Sequence, residues 1–213
     1  MRRHHRLPID IAMYLCFLYL MNYHLGQGLL LHGILGILLI ALFFWHNVLN
    51  RRWYKSLVRG RKHGVALALC VTNLPLVVAC LGATVSSVLL SGDVFSFSPL
   101  VGSASARTFH ATSTAVGFIL VMIHTGWHVA PHLDKLQLKV DASIFRHAYR
   151  LIDALVLLLG LYLLATSPLL ARFLPSGLPS HAPSYLTYLL ITLAICQLTQ
   201  LASKQMRRRR TSI

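Results

Sequence analysis

The sequence contains no glutamate: its five acids are all aspartate (Asp10, Asp93, Asp134, Asp141 and Asp153), set against 20 Lys and Arg. Charge of either sign is scarce, with 12% of residues charged and 56% hydrophobic. An average soluble domain carries about twice that share of charge, so the composition points to a chain that lies largely inside a bilayer. Cysteine is sparse as well. Cys16, Cys70, Cys80 and Cys196 each sit in an apolar stretch and form no CxxC or CxxCH motif. That argues against a thiolate zinc site and against a prosthetic group attached through paired cysteines; small apolar filler is the plain reading of all four. The sequence also lacks a Gly-rich dinucleotide fingerprint and any polar segment large enough to fold a flavin domain.

What is present comes in blocks. Six apolar stretches, near 8–25, 29–49, 65–90, 109–130, 149–170 and 183–203, are long enough to cross a hydrocarbon core of about 30 Å at about 1.5 Å per residue. The opening Met1-Arg2-Arg3-His4-His5-Arg6 resembles the basic start of a signal peptide. No small-residue cleavage site follows it, so the first block is expected to be a retained span.

The net charge of +15 would suit a nucleic-acid binder, but its placement suits a membrane. Arg2, Arg3 and Arg6 precede the first span. Arg51, Arg52, Lys55, Arg59, Arg61 and Lys62 follow the second, and Lys135, Lys139, Arg146 and Arg150 follow the fourth. Lys204 and Arg207 to Arg210 end the chain, which leaves only Arg107 and Arg172 on the opposite side. The positive-inside rule then makes both termini cytoplasmic. Anionic lipid accounts for the arginine tail, and no nucleic-acid partner is expected.

The second span reads His32-x13-His46 and the fourth reads His110-x13-His124. Residues 14 apart on an α-helix are rotated by about 40° from alignment and separated by about 21 Å along the axis. Both histidines of a pair therefore share a face. The two spans run in the same direction, so His32 is level with His110 near the outer surface and His46 with His124 near the cytoplasm. Ionisable groups at membrane depth are costly and mark functional sites by default. A single such histidine is often only hydrogen-bonded to a neighbouring helix, but four with matched spacing point to two stacked ligand pairs. Imidazole is the usual axial ligand of b-type haem, whereas zinc would call for a carboxylate or thiolate beside each pair. The expected fold is thus all-α, an integral membrane six-helix bundle with two haems between helices two and four. Gly33 and Gly36 beside His32, and Ala111, Ser113, Ala115 and Gly117 after His110, suit a flat macrocycle and ordinary small-residue helix packing equally well.

The run from Leu31-His32-Gly33-Ile34-Leu35-Gly36 to Trp45-His46-Asn47-Val48-Leu49-Asn50-Arg51-Arg52-Trp53-Tyr54-Lys55 resembles the flavinylation-associated cytochrome domain. So does Phe109-His110 through Gly117-Phe118 to Ile123-His124-Thr125-Gly126-Trp127-His128. The resemblance covers about residues 10–132. It implies a small bacterial b-type cytochrome of the cytoplasmic membrane, with non-covalent haem on His32, His46, His110 and His124. It further implies electron transfer from quinol or a cytoplasmic donor to extracytoplasmic flavin-bearing partners. The family pattern often shows His-x3-His at the fourth span, which makes His128 the alternative inner ligand; the spacing of the second span favours His124. On this reading residues 1–132 form a four-helix dihaem unit of two two-helix repeats. Residues 133–213 add two helices and a basic cytoplasmic tail.

Other residues carry weaker signals. Arg107, one turn before His110, is a candidate contact for an outer haem propionate, with a solvated loop arginine as the plain alternative. Arg51, Arg52 and Trp53 are accounted for by positive-inside anchoring and the aromatic belt. His24 reads as an interfacial residue, while His4, His5, His63, His132, His147 and His181 lie in loops or tails and receive no role. Asp153 near the cytoplasmic start of the fifth span is a minor candidate for a proton or quinone role, and the outside loop from Ser91 to Thr108 is a candidate docking segment. Two rival functions remain: a ferric-reductase-like or quinol-oxidising membrane reductase subunit, and a non-redox metal-binding transporter or assembly subunit. Reporter fusions test the topology. A fluorescent protein that matures only in the cytoplasm is expected to be bright at the C-terminus, and an export-dependent phosphatase fused there is expected to be inactive. The reverse pattern would invert the orientation.

Overall fold

A computed structural model of the chain describes residues 6–22, 28–90, 102–141, 144–171, 173 and 184–211. The described residues are helical and contain no strand. The helices are α1 (Arg6–Met21), α2 (Leu29–Leu49), α3 (Arg51–Leu57), α4 (Val65–Leu90), α5 (Ala104–Asp141), α6 (Arg146–Ala165), α7 (Pro168–Ala171) and α8 (Tyr185–Thr211). Five of them (α2, α4, α5, α6 and α8) are long and apolar enough to cross a membrane, so the chain is a multi-pass membrane protein whose apolar faces meet lipid. The first expected span is represented by α1, whose 16 residues rise about 24 Å. Its expected continuation through His24 lies outside the described residues, as do Arg172, the outer loop over 91–101, and His4, His5 and His181.

Two expected boundaries move. The fourth span, expected to end near 130, continues as α5 to Asp141, and α8 continues to Thr211. Both extensions carry charged side chains, and the end of α8 gives α5 polar partners. Gln200 Nε2 donates to Asp134 Oδ1 at 2.8 Å, Arg207 pairs with Asp134, and Lys204 lies 3.5 Å from the same carboxylate. Charges that would repel lipid instead extend the helices beyond the apolar stretch.

The chain divides into two compact units. The first contains residues 1–61 and 74–118. Here α1 packs on α2, with Cys16 Sγ donating to Leu35 O at 3.3 Å. Phe17 meets the fully buried Phe118 edge to face, ring centres 5.2 Å apart. The second unit contains residues 62–73 and 119–213 and centres on Met122, Ile191 and Leu169. Within it α6 and α8 cross closely. A Cβ at Gly160 would come within 2.5 Å of Ala194 Cβ and 2.6 Å of the Leu190 carbonyl oxygen. Hydrocarbon offers no drive to exclude apolar side chains, so membrane helices associate by such close backbone approach.

Replacing Gly160 by leucine is expected to destabilise the α6–α8 pair by about 1–3 kcal/mol, the usual scale of overpacking. Leu155, 56% exposed on the same helix, is the control; its replacement by alanine should change stability by less than about 0.5 kcal/mol. Unfolding of the detergent-solubilised protein by SDS titration measures both.

Candidate functional site

Two of the four motif histidines meet in the first unit. His32 lies in the first turn of α2 and His110 in the second turn of α5, both half-buried. Their ring centres are 6.4 Å apart with the planes turned by 71°. His110 Nδ1 lies 3.3 Å from the carbonyl oxygen of Ala83 and 3.1 Å from Ser86 Oγ, both on α4. A carbonyl oxygen can only accept, so Nδ1 carries the hydrogen and Nε2 the lone pair. Ser86 is 1% exposed and also donates to the carbonyl of Gly82 at 2.7 Å. The Nδ1 end of the ring is therefore held by α4, and Nε2 keeps the lone pair.

The separation is that of an ordinary edge-to-face ring pair and is also compatible with one metal ion held between the rings. Two imidazoles on opposite sides of one metal ion need about 2.0 Å per metal–nitrogen bond. They need about 1.1 Å more from each nitrogen to its ring centre, for ring bonds near 1.33 Å. The sum is about 6.3 Å centre to centre, and the observed value is 6.4 Å. Rotation about the nitrogen–metal–nitrogen axis leaves the ring planes free to cross at any angle. At Gly36, one turn beyond His32 on α2, a Cβ would meet no heavy atom within 4 Å. Gly117 differs. A Cβ at that position would touch Ala79 and Phe17 at 3.7 Å, so it serves helix packing. Arg107, one turn before His110, is exposed.

His46 belongs to the first unit and His124 to the second, and each has its own anchor. His46 Nδ1 lies 2.7 Å from Asp10 Oδ1 on α1, and its Nε2 lies 3.2 Å from Asn50 Nδ2. The carboxylate accepts and the amide nitrogen donates, which again fixes hydrogen on Nδ1 and the lone pair on Nε2. The surrounding motif is stitched together in the same way. Arg6 donates to Asn50 Oδ1 at 3.1 Å, Asn47 Nδ2 to the Phe43 carbonyl at 2.7 Å, and Tyr54 to Asn47 Oδ1. Burial pushes the Tyr54 hydroxyl above its ordinary pKa, so it remains a donor at neutral pH. In the second unit His124 Nδ1 lies 2.8 Å from Asn73 Oδ1 on α4, the same tautomer once more. His128 follows one turn later, exposed, with its ring centre 4.6 Å from that of His124. His63, His132 and His147 are exposed.

Histidine spacing alone did not reveal Asp10, Asn73, Ser86 or the Ala83 carbonyl. Asp10 and Asn73 did carry a signal, as polar residues inside the first and third apolar stretches. Ser86 and a backbone carbonyl carry none. No family model, curated protein or solved structure matches the chain.

Nitrogen-15 spectra of the histidine-labelled protein test the tautomers. His46, His110 and His124 are expected to show hydrogen on Nδ1. Hydrogen on Nε2 at His110 would contradict the anchoring by Ala83.

Proposed function

We propose that the chain is a six-span, dihaem b-type membrane cytochrome that carries electrons across the bilayer. The donor would be a quinol or a cytoplasmic protein, and the acceptors extracytoplasmic flavin-bearing proteins. The observation that carries the reading is the His32–His110 pair, whose 6.4 Å ring separation suits axial ligation from two sides. His32 and His110 would hold the outer haem. The register of the sequence assigns His46 and His124 to the inner one, with His128 as the alternative ligand; His46 Nε2 would have to leave the Asn50 amide to bind iron. When bound, haem supplies a one-electron iron couple, and two axial histidines leave no open position for oxygen or substrate.

The protein's own residues then have defined tasks. The Ala83 carbonyl, the Asp10 carboxylate and the Asn73 amide oxygen hold three rings by Nδ1, as partners of metal-bound histidine commonly do. Asp10 gives His46 the most electron-rich of these anchors. Arg107, exposed one turn before His110 on α5, would be available to pair with an outer propionate. The resemblance of residues 10–132 to the flavinylation-associated cytochrome domain supports the same reading. The basic residues support cytoplasmic termini in a bacterial cytoplasmic membrane.

A pyridine haemochrome assay on the purified chain tests this, with two b-type haems per chain expected. Replacing His32 or His110 by alanine should remove one haem, and replacing His46 or His124 the other. Protein free of haem after expression with ample haem supply would overturn the proposal.

A further inference from the structure

Away from the histidines, the second unit holds an intramembrane carboxylate that the electron-carrying reading does not use. Asp153 lies seven residues into α6, about 10 Å along the helix from Arg146. That depth suits the polar head of a small lipid-soluble molecule near the basic surface. The side chain of Gln197 on α8 reaches it. Its Nε2 donates to Asp153 Oδ1 at 2.6 Å and to the Asp153 carbonyl at 3.0 Å. Both partners accept only, so the amide nitrogen faces Asp153 and Oε1 is turned away. Gln197 Oε1 is buried, with no hydrogen-bond partner among the described residues.

A polar contact between membrane helices often serves as glue, and this one would need no other purpose if its atoms were all satisfied. They are not. The close crossing at Gly160 and Ala194 already holds α6 against α8 two turns away. A buried carbonyl without a donor costs about 1–3 kcal/mol, and in hydrocarbon that cost falls on a pair the packing does not need. The group is short of donors: the carboxylate and Oε1 both accept. Tyr149, one turn before Asp153 on the same face of α6, is the nearest hydroxyl along that face. A ligand that completes the group must therefore bring hydroxyl hydrogens and dissolve in lipid.

We propose that Gln197, its amide nitrogen held by Asp153, binds the headgroup of a membrane quinol, one hydroxyl of which donates to Gln197 Oε1. The site distinguishes redox states. A quinol donates, whereas the matching quinone offers only carbonyl acceptors and would face acceptors across the contact. The biological meaning rests on the electron-carrying reading, since a quinol bound here would be the donor. The binding itself does not.

Titration calorimetry under anaerobic conditions tests the site, using the purified full chain in lipid nanodiscs with a single-isoprene benzoquinol and then the matching benzoquinone. The quinol is expected to bind at least about tenfold more tightly, the equivalent of one buried hydrogen bond. Replacing Gln197 by leucine should abolish that preference, and Asp153→Asn, which keeps the shape, should reduce it. Equal binding of both forms, binding of neither, or a preference untouched by both substitutions would overturn the proposal; the first or last would leave Oε1 to an ordinary water. The wild-type comparison needs no variant to fold. Haem content measured on the same samples separates the two ideas: a haem-free protein that prefers quinol refutes the cytochrome, and a haem-loaded one without preference refutes the site.

Discussion

An imidazole inside a bilayer has two nitrogens and no water, so a ring that is to bind metal through one must satisfy the other with protein. Most of the polar architecture described here follows from that constraint. Ala83 and Ser86 on α4 hold His110, Asp10 on α1 holds His46, and Asn73 on α4 holds His124. Each anchor comes from a helix other than the one that bears the histidine. Helices α1 and α4, which carry no motif histidine, thereby acquire a purpose: they set the tautomer and aim of rings borne by α2 and α5.

The same constraint explains how polar residues are distributed elsewhere. In the second unit Asp134, Gln200, Lys204 and Arg207 satisfy one another where α5 and α8 outrun their apolar stretches. Asp153 and Gln197 satisfy one another only in part. Complete networks close off a region; an incomplete one invites a ligand. That contrast separates a structural cluster from a candidate binding site within one unit.

The helices were legible in the sequence because hydrocarbon thickness imposes a length on each apolar block, and five of six blocks are helices of spanning length. Their ends were less legible. Past 130, α5 continues because Asp134 finds partners on α8, a contact between residues more than sixty positions apart. The closeness of His32 and His110 was legible from matched spacing on two co-directional spans. The anchors were not, since a serine or a backbone carbonyl looks like any other until a neighbouring helix is placed beside it. Asp10 was the exception in kind: a lone acid in an apolar block is costly enough to need a partner, and His46 is that partner.

The central claim is that His32 and His110 would together hold one haem iron. Low-temperature electron paramagnetic resonance of the oxidised protein tests it most directly. Two haems with histidine ligands would give low-spin ferric signals, and the share belonging to the outer haem is expected to be lost when His32 or His110 is replaced by alanine while the inner haem's share remains. A high-spin ferric signal in the unaltered protein, or a low-spin signal undiminished by either replacement, would contradict the account.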